Sequence, residues 1–244
     1  MKQGFFEIVE NNPLTDCVYK MVLKGDTSAI TAPGQFVNIL LDGLYLRRPI
    51  SVCDVNGDLL TIIYKVVGKG TAQMAAMKTG TLDVLTGLGN GYDLSVSGDR
   101  PVLLGGGVGV PPMYMLCRKL IEQGKSVRVI LGFNTRNEVF YEEEIRKLGA
   151  EVTVTTVDGS YGVQGFVTDA LKSMEYTYVY TCGPEPMLKA VYKTSVTSGQ
   201  MSLEKRMGCG FGACMGCSCK TITGYKRICK EGPVMRKEEI LWEN

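Results

Sequence analysis

The sequence contains no histidine, and this absence excludes several kinds of functional site. Imidazole ligands to zinc, Rieske-type iron–sulfur ligation and a histidine-based triad or general base are all excluded. The chain must therefore carry out chemistry that needs little proton shuttling by its own side chains. Electron and hydride transfer satisfy that restriction.

The sequence also lacks long apolar runs and a strong net charge. No uninterrupted apolar run reaches the ~18 residues that span a bilayer, and residues 1–7 hold no apolar core of a secretory signal. With 27 Lys and Arg against 25 Asp and Glu, the formal charge is +2, which argues against binding to nucleic acid or a membrane. We therefore expect a cytoplasmic protein with neither of these among its partners.

Cysteine, by contrast, is plentiful, with nine residues clustered late in the chain. Cys209, Cys214 and Cys217 have the C-x4-C-x2-C spacing of plant-type [2Fe–2S] ligands, and Cys229 follows downstream. The glycines between them can bring backbone N–H groups close to cluster sulfurs. A structural zinc site and a disulfide knot are the alternatives. They are less favoured, because only one C-x2-C pair is present and clustered cysteines suit a reducing compartment.

Length and patterning indicate two domains and an appendage. A chain of 244 residues with 45% hydrophobic and 21% charged residues is typical of a globular enzyme. Residues 1–98 contain six short strand-like stretches between turn residues, which predicts a small antiparallel β-barrel. Residues 99–200 alternate strand and helix patterns, which predicts a doubly wound parallel sheet of the α/β class. Residues 201–244 form a small third segment that carries the cysteines.

A basic motif in the first domain is a candidate flavin site. Residues 47–51 read Arg-Arg-Pro-Ile-Ser, and arginine can clamp a diphosphate while the strand backbone bonds an isoalloxazine edge. An ordinary basic turn is the alternative. Two later features favour the flavin interpretation. Tyr64 could stack on a ring, and Gly70 and Thr71 open a helix whose N-terminus offers N–H groups to an anion.

Two further motifs follow strands of the second domain, at the edge where an open α/β sheet binds ligands. Residues 105–109 read Gly-Gly-Gly-Val-Gly, but Val110 stands where the Rossmann fingerprint requires glycine. A tight turn alone would not need four glycines, so we interpret the loop as an approach to a diphosphate or ribose. Residues 181–187 follow the last strand, and their position favours a function for Cys182 over a buried structural cysteine.

These motifs resemble, in kind and order, the ferredoxin–NADP reductase superfamily: Arg-Pro-Ile-Ser, Gly-Gly-Gly-Val-Gly-Val-Pro-Pro and Cys-Gly-Pro-Glu-Pro-Met. With the C-terminal cysteines and Ile-Cys-Lys-Glu-Gly-Pro-Val, the chain resembles class 1B dihydroorotate dehydrogenase electron-transfer subunits over essentially its whole length. The resemblance implies that the barrel binds FAD and the α/β domain binds NAD. It also implies a [2Fe–2S] cluster facing a separate FMN-containing catalytic subunit, in a heterotetramer of two of each.

The resemblance also implies binding residues. For FAD they are Arg48, Pro49, Ile50, Ser51, Ile63, Tyr64, Lys65, Gly70 and Thr71. For NAD they are Gly105, Gly106, Gly107, Val108, Gly109, Cys182, Gly183, Pro184 and Met187, with Cys182 orienting the nicotinamide rather than attacking it. The cluster ligands are Cys209, Cys214, Cys217 and Cys229, which leaves Cys219 as a bystander.

The implied function is electron transfer in pyrimidine biosynthesis. The partner would oxidise dihydroorotate at FMN, and electrons would pass singly through the cluster to FAD, which delivers a hydride to NAD⁺. One alternative is the flavin subunit of another NAD(P)H-linked oxidoreductase, such as a ferredoxin:NADP transhydrogenase or sulfide dehydrogenase. A zinc-stabilised nucleotide-binding regulator is the other alternative, and a visible spectrum distinguishes it from the flavoproteins.

The expected nucleotide is NAD rather than NADP. After the second strand of the α/β domain, Arg136 is the only basic residue in residues 132–138. A 2′-phosphate usually needs a basic cluster at this place.

The C-terminal tail has two open interpretations. Trp242, the single tryptophan, lies beside Ile240 and Leu241, where a free tail would normally be polar. These residues either pack onto the chain's own core or help to dock the catalytic subunit.

Overall fold

The computed structural model describes residues 1–242, and its first part is a closed barrel of six antiparallel strands in the order β1-β2-β5-β4-β3-β6. Alternate residues of each strand face the interior, as Leu60, Ile62 and Tyr64 do on β5. The elements are β1 (Lys2–Pro13), β2 (Val18–Lys24), β3 (Phe36–Ile39), β4 (Arg48–Asn56), β5 (Leu59–Lys65), α1 (Lys69–Ala76) and β6 (Thr81–Leu88).

The second part is a sheet with helices on both faces. Buried residues of α2 and α3 pack on one face, and those of α4 and α5 pack on the other, as expected for doubly wound topology. The elements are β7 (Pro101–Gly106), α2 (Pro111–Glu122), β8 (Arg128–Phe133), α3 (Glu142–Lys147), β9 (Glu151–Thr156), β10 (Val163–Gln164), α4 (Val167–Lys172), β11 (Tyr178–Cys182), α5 (Glu185–Thr194) and β12 (Gly199–Ser202).

The cysteine-bearing segment is joined to this sheet by a strand that the sequence patterns did not predict. It contains the hairpin β13 (Ser218–Thr221) and β14 (Gly224–Arg227), followed by β15 (Val234–Arg236). β15 pairs antiparallel with β12, so the seven-stranded sheet has the order β10-β9-β8-β7-β11-β12-β15 and is not wholly parallel. Cys217, Ile228 and Cys229 share a hydrophobic core with the sheet. Residues 243 and 244 of the predicted third segment lie outside the described residues.

The barrel and the sheet domain are connected by an ion pair and by hydrogen bonds from side chains to backbone carbonyls. Arg118 on α2 donates to Asp54 on β4 at 2.6 Å and to the carbonyl of Val55 at 3.2 Å. The Tyr92 hydroxyl donates to the carbonyl of Thr181 on β11 at 2.9 Å. The Arg118 contacts hold the barrel against α2, and the Tyr92 contact lies near the carboxyl end of β11.

The helices are short. The longest, α2, has 12 residues. In the described part of the chain, none combines the length and hydrophobicity that a membrane crossing requires.

Candidate functional site

A cavity of about 690 Å³ lies between the barrel and the carboxyl edge of the sheet. The strand order reverses between β7 and β11, and open α/β sheets bind ligands at such a switch point. Seven of the nine residues proposed for NAD line the cavity: Gly106, Gly107, Val108, Gly109, Gly183, Pro184 and Met187. Gly105 and Cys182 belong to the strands behind them, where they pair with each other across β7 and β11.

The glycines of the two loops are required by close packing. A Cβ on Gly109 would lie 2.2 Å from the carbonyl oxygen of Cys182, and one on Gly106 would lie 2.3 Å from Sδ of Met187. A Cβ on Gly183 would approach the same sulfur at 2.8 Å. Gly109 therefore packs against the backbone of the loop after β11, and Gly106 and Gly183 leave room for the Met187 side chain. The backbone of both loops can thus reach the cavity wall. Such a wall suits the close approach of a diphosphate or ribose.

Cys182 is buried behind this wall. Its exposed fraction is 2%, and burial raises the pKa of its thiol to about 12. The thiol is therefore neutral at physiological pH, which fits a role in orientation better than one as a nucleophile.

Several cavity residues were not identified from the sequence. Glu138 lines the cavity after β8, and its carboxylate accepts bonds from the amide and the side chain of Asn134 at 3.0 and 2.9 Å. Glu204, Phe166 and Cys17 also line it. The one sequence signal among these is Glu138, because an acidic residue after the second strand often binds the ribose of NAD.

A second candidate site lies where β4 and β5 separate. Their ladder runs from Asn56↔Leu59 to Val52↔Ile62. Beyond it, residues 48–51 pair with β3 and residues 63–65 pair with β2. The two strands therefore diverge at the place where the predicted FAD residues lie, and strand backbone there is available to a ring edge.

Arg48 and the start of α1 form a cradle with positive charge on both sides. A Cβ on Gly70 would lie 2.3 Å from Nε of Arg48, so the guanidinium group rests directly on the first turn of the helix. A cation at the positive end of a helix is unfavourable unless an anion shares the site. The Thr71 hydroxyl accepts a bond from the amide of Val67 at 2.9 Å and holds the turn in place. The cradle thus fits the diphosphate of FAD.

The remaining predicted FAD residues differ in orientation. Tyr64 is 2% exposed in the barrel core, and its hydroxyl donates to Asn11 at 2.9 Å. The ring that was expected to stack on a flavin instead fills the barrel, because even-numbered residues of β5 face inward. Ile63 faces the sheet, and Lys65 is exposed and lines the cavity.

The four candidate cluster cysteines are arranged in two pairs. The amide of Cys214 donates to Sγ of Cys209 at 3.4 Å, and the amide of Cys209 donates to Sγ of Cys214 at 3.4 Å. The amide of Cys229 donates to Sγ of Cys217 at 3.4 Å. Two pairs of thiols match the needs of two irons, each bound by two thiolates.

The two pairs lie in different electrostatic environments. Burial acts to raise the pKa of Cys209, but N–H groups of Cys214, Phe211 and Ala213 outweigh it and lower that pKa to about 6. Burial, together with the neighbouring Cys217, raises the pKa of Cys229 to about 12. The Cys209 sulfur is therefore the readier thiolate of these two, and thiolate is the form that binds metal.

The donor set favours a binuclear cluster over the zinc alternative. A structural zinc ion needs four ligands that converge on one point. The four cysteines are instead held as two pairs, Cys209 with Cys214 and Cys217 with Cys229. Cys219, the predicted bystander, lies on β13 and is half-buried. Arg227 braces the loop by donating to the carbonyl of Gly212 at 2.6 Å and to Glu231 at 2.9 Å.

The C-terminal tail packs onto its own chain. Ile240 is 5% exposed, and the Trp242 ring meets that of Tyr192 on α5 edge-on at 6.2 Å. Nζ of Lys189 lies 5.4 Å from the centre of the same ring. Of the two interpretations of the tail, the structure supports packing onto the chain's own core for Ile240 and Trp242. Leu241 is exposed.

Comparisons with solved structures support the fold. The chain superposes with a TM-score of 0.88 on an NADH-dependent reduced ferredoxin-NADP oxidoreductase studied for flavin-based electron bifurcation. That alignment covers 98% of this chain and 90% of that one at 29% identity. A ferredoxin NADP⁺ reductase from Neisseria gonorrhoeae with bound FAD and NADP superposes with a TM-score of 0.70 at 18% identity, over 80% of this chain and 90% of that one. The chain thus has the ferredoxin–NADP reductase fold.

Sequence comparisons identify the family. Residues 204–241 match the "Iron-sulfur cluster binding domain of dihydroorotate dehydrogenase B", and residues 103–193 match the "Oxidoreductase NAD-binding domain". The chain is 44% identical to the dihydroorotate dehydrogenase B (NAD(+)) electron transfer subunit of Fusobacterium nucleatum subsp. nucleatum, over 96% of each chain. It is 41% identical to that of Geobacillus sp. (strain WCH70), over 99% of each. The chain belongs to the family of dihydroorotate dehydrogenase B electron-transfer subunits.

Proposed function

We propose that this chain is the electron-transfer subunit of an NAD-dependent dihydroorotate dehydrogenase. It takes electrons from a catalytic subunit that carries FMN and oxidises dihydroorotate, and it passes them to NAD⁺ in pyrimidine biosynthesis. The names of its relatives describe them as the electron transfer subunit of dihydroorotate dehydrogenase B (NAD(+)), and the chain matches two of them over 96% and 99% of its length. We propose an assembly of two chains of each kind.

The binding roles follow from the three sites. Arg48 and the first turn of α1 hold the FAD diphosphate, and the open backbone of residues 49–51 bonds the ring edge. The loops after β7 and β11 hold NAD in the cavity. Cys209, Cys214, Cys217 and Cys229 bind the [2Fe–2S] cluster. FAD and the cluster together supply the exchange between one-electron transfer and hydride transfer.

The chain's own residues position these groups, and hydride transfer between FAD and NAD⁺ requires no histidine base from them. Apolar and glycine residues form much of the cavity surface, and bound FAD and NAD would displace water from the place where a hydride moves. The neutral thiol of Cys182 lies behind that surface and does not line the cavity, so its effect on the nicotinamide would act through the loop that follows β11. The absence of histidine is consistent with this division of labour, because proton abstraction from dihydroorotate is then the partner's task.

The observation that carries the proposal is the attachment of the cysteine segment to the other two sites. β15 extends the nucleotide-binding sheet, and Asn38 on β3 donates to the carbonyl of Cys209 at 3.2 Å. The cluster site is therefore built against both the flavin barrel and the NAD domain, as an electron-transfer chain requires.

The test is to purify the chain with and without its catalytic partner. The chain alone should show flavin and iron–sulfur absorption and should reduce a dye with NADH. Reduction of NAD⁺ by dihydroorotate should require the complex. A colourless chain, or a chain whose NADH activity is unchanged by loss of flavin, would contradict the proposal.

A second candidate is a subunit of a ferredoxin:NADP transhydrogenase type of enzyme. It is favoured by the structural similarity to the NADH-dependent ferredoxin-NADP oxidoreductase. The identity to that protein is 29%, however, against 41–44% for the dihydroorotate dehydrogenase subunits. Co-purification with an FMN-containing dihydroorotate dehydrogenase subunit distinguishes the two.

A further inference from the structure

Asn38 is a buried polar residue at the contact between the barrel and the cluster segment. It is 1% exposed, whereas its neighbours Val37 and Ile39 face the barrel core, so Asn38 faces outward from the barrel wall. Its Nδ2 donates to the carbonyl oxygen of Cys209 at 3.2 Å across 171 residues of sequence. On β3 it pairs with Pro49 of the flavin-binding motif. Asn38 thus contacts a cluster ligand on one side and adjoins the flavin-binding strand on the other.

The cluster loop is shaped to receive this side chain. Gly210 has a φ of +78°, and a Cβ at that position would lie 2.3 Å from Nδ2 of Asn38. Any other residue would push the loop away from the barrel. The close approach therefore depends on the Asn38–Gly210 pair and brings Cys209 as near to the barrel wall as the backbone permits.

The orientation of the amide is set by the Cys209 carbonyl. Because that carbonyl only accepts hydrogen bonds, the nitrogen of Asn38 must point to it. The oxygen of Asn38 then has no donor among the described residues and is fully buried. A buried acceptor without a partner is costly, and packing alone would favour an apolar residue here. The contact made by the nitrogen is a physical reason for asparagine at this position.

Arg47 stabilises the backbone of β3 at Asn38. Its Nη1 donates to the carbonyl of Asn38 at 3.3 Å and to the carboxylate of Asp83 at 3.0 Å. Arg47 therefore ties the backbone of Asn38 to Asp83 on β6. The side-chain amide of Asn38 is a firm support for the Cys209 loop.

We propose that Asn38 is a positioning residue that couples the cluster to the flavin site. Its amide holds the Cys209 backbone, and hence the Cys209 sulfur, in a fixed relation to the β3–β4 ladder that carries Pro49, Ile50 and Ser51. Hydrogen-bonded partners of metal ligands orient them and tune the potential of the metal. This inference rests on the proposed function, since it presupposes a cluster at Cys209 and a flavin at β4.

The test uses the protein with FAD and cluster bound and compares Asn38→Leu, Asn38→Ala and wild type. Asn38→Leu keeps the approximate size of the side chain and removes the donor. Both variants should keep their flavin content and their rate of flavin reduction by NADH. The electron paramagnetic resonance spectrum of the reduced cluster should change, and electron transfer from flavin to cluster should slow about tenfold in stopped-flow measurements.

The matched control is Asn11→Ala. Asn11 is also a buried barrel asparagine, but its Nδ2 donates to the carbonyls of Met74 and Met77 beside α1. This variant should lower stability without altering the cluster spectrum. Wild-type spectra and wild-type flavin-to-cluster rates in both Asn38 variants would overturn the inference. A wild-type protein in which NADH does not reduce the flavin would instead contradict the proposed function.

Discussion

The cluster segment and the NAD cavity are both rich in glycine, yet they are built on different principles. In the cluster segment, the proposed ligands are side chains, and glycines such as Gly210 and Gly212, with φ of +78° and +93°, bend the backbone around them. In the cavity, glycines such as Gly109 are present because two backbones touch. A side-chain site is destroyed by removing one functional group, whereas a backbone site is damaged by adding an atom.

The largest effect is expected in the cluster segment, where a single side chain can be removed. Cys214→Ser removes one proposed ligand of the Cys209–Cys214 pair and should abolish or severely destabilise the cluster, because four thiolates are needed. The matched control is Cys219→Ser, which should keep its iron. Iron and sulfide analysis of both purified variants measures the effect. Retention of iron in Cys229→Ser together with its loss in Cys219→Ser would contradict the ligand assignment.

The proposed FAD site uses both a side chain, Arg48, and exposed backbone, at the first turn of α1 and in residues 49–51. Arg48→Ala removes the side chain and leaves the backbone in place. Charge-assisted hydrogen bonds contribute about 1.5–3 kcal/mol, so FAD affinity should fall roughly 10- to 100-fold. Flavin content after gel filtration and titration of the flavin-free protein measure this effect. Arg100→Ala, which removes an exposed arginine from the sheet domain, is the control. Unchanged flavin retention in Arg48→Ala would show that Arg48 is only a surface charge.

The backbone site is tested by adding one methyl group. Gly109→Ala forces a Cβ to within 2.2 Å of the Cys182 carbonyl, so the two loops must separate. Overpacking costs about 1–3 kcal/mol, and the KM for NADH should rise. Gly149→Ala is the control, since its φ of +100° strains alanine by about 1–2 kcal/mol but no atom lies within 4 Å.

Urea denaturation and NADH-to-dye kinetics separate the two glycine variants. Both should lose stability, and only Gly109→Ala should change the KM. Equal KM values in the two variants would mean that the glycines of the cavity serve folding alone.

The smallest expected effect concerns the choice between NAD and NADP. Here one side chain, Glu138, acts in a cavity that is otherwise formed largely by backbone. The wild type should prefer NAD to NADP, because Glu138 lines the cavity and its carboxylate repels a 2′-phosphate. Glu138→Gln should reduce that preference by roughly fivefold, which corresponds to about 1 kcal/mol of repulsion. The ratio of kcat/KM for the two nucleotides measures it, with the exposed Glu143→Gln as control. Comparable wild-type kcat/KM values would contradict the preference.

The parts of the fold that depend on local sequence were predicted well. The barrel strands, the helices after β7 and β11 and the cysteine segment follow from turn residues, periodicity and spacing. The helix predicted to begin near Gly70 is α1, which begins at Lys69. β12 and β15 were missed, because four and three residues are too short to show a period. The orientation of Tyr64 was also missed, since the face of a strand is decided by the register of the whole barrel.

The sequence by itself determined the ligand chemistry of this protein. Spacing of cysteines, the runs of glycine and the absence of histidine are properties of the chain that no folding can change. Only the tertiary structure decided how the sites meet: β15 pairs with β12, Arg48 rests on Gly70, and Asn38 supports Cys209. These contacts join residues as much as 171 positions apart. They form because burial of the shared core brings distant segments together, and local sequence carries no record of that arrangement.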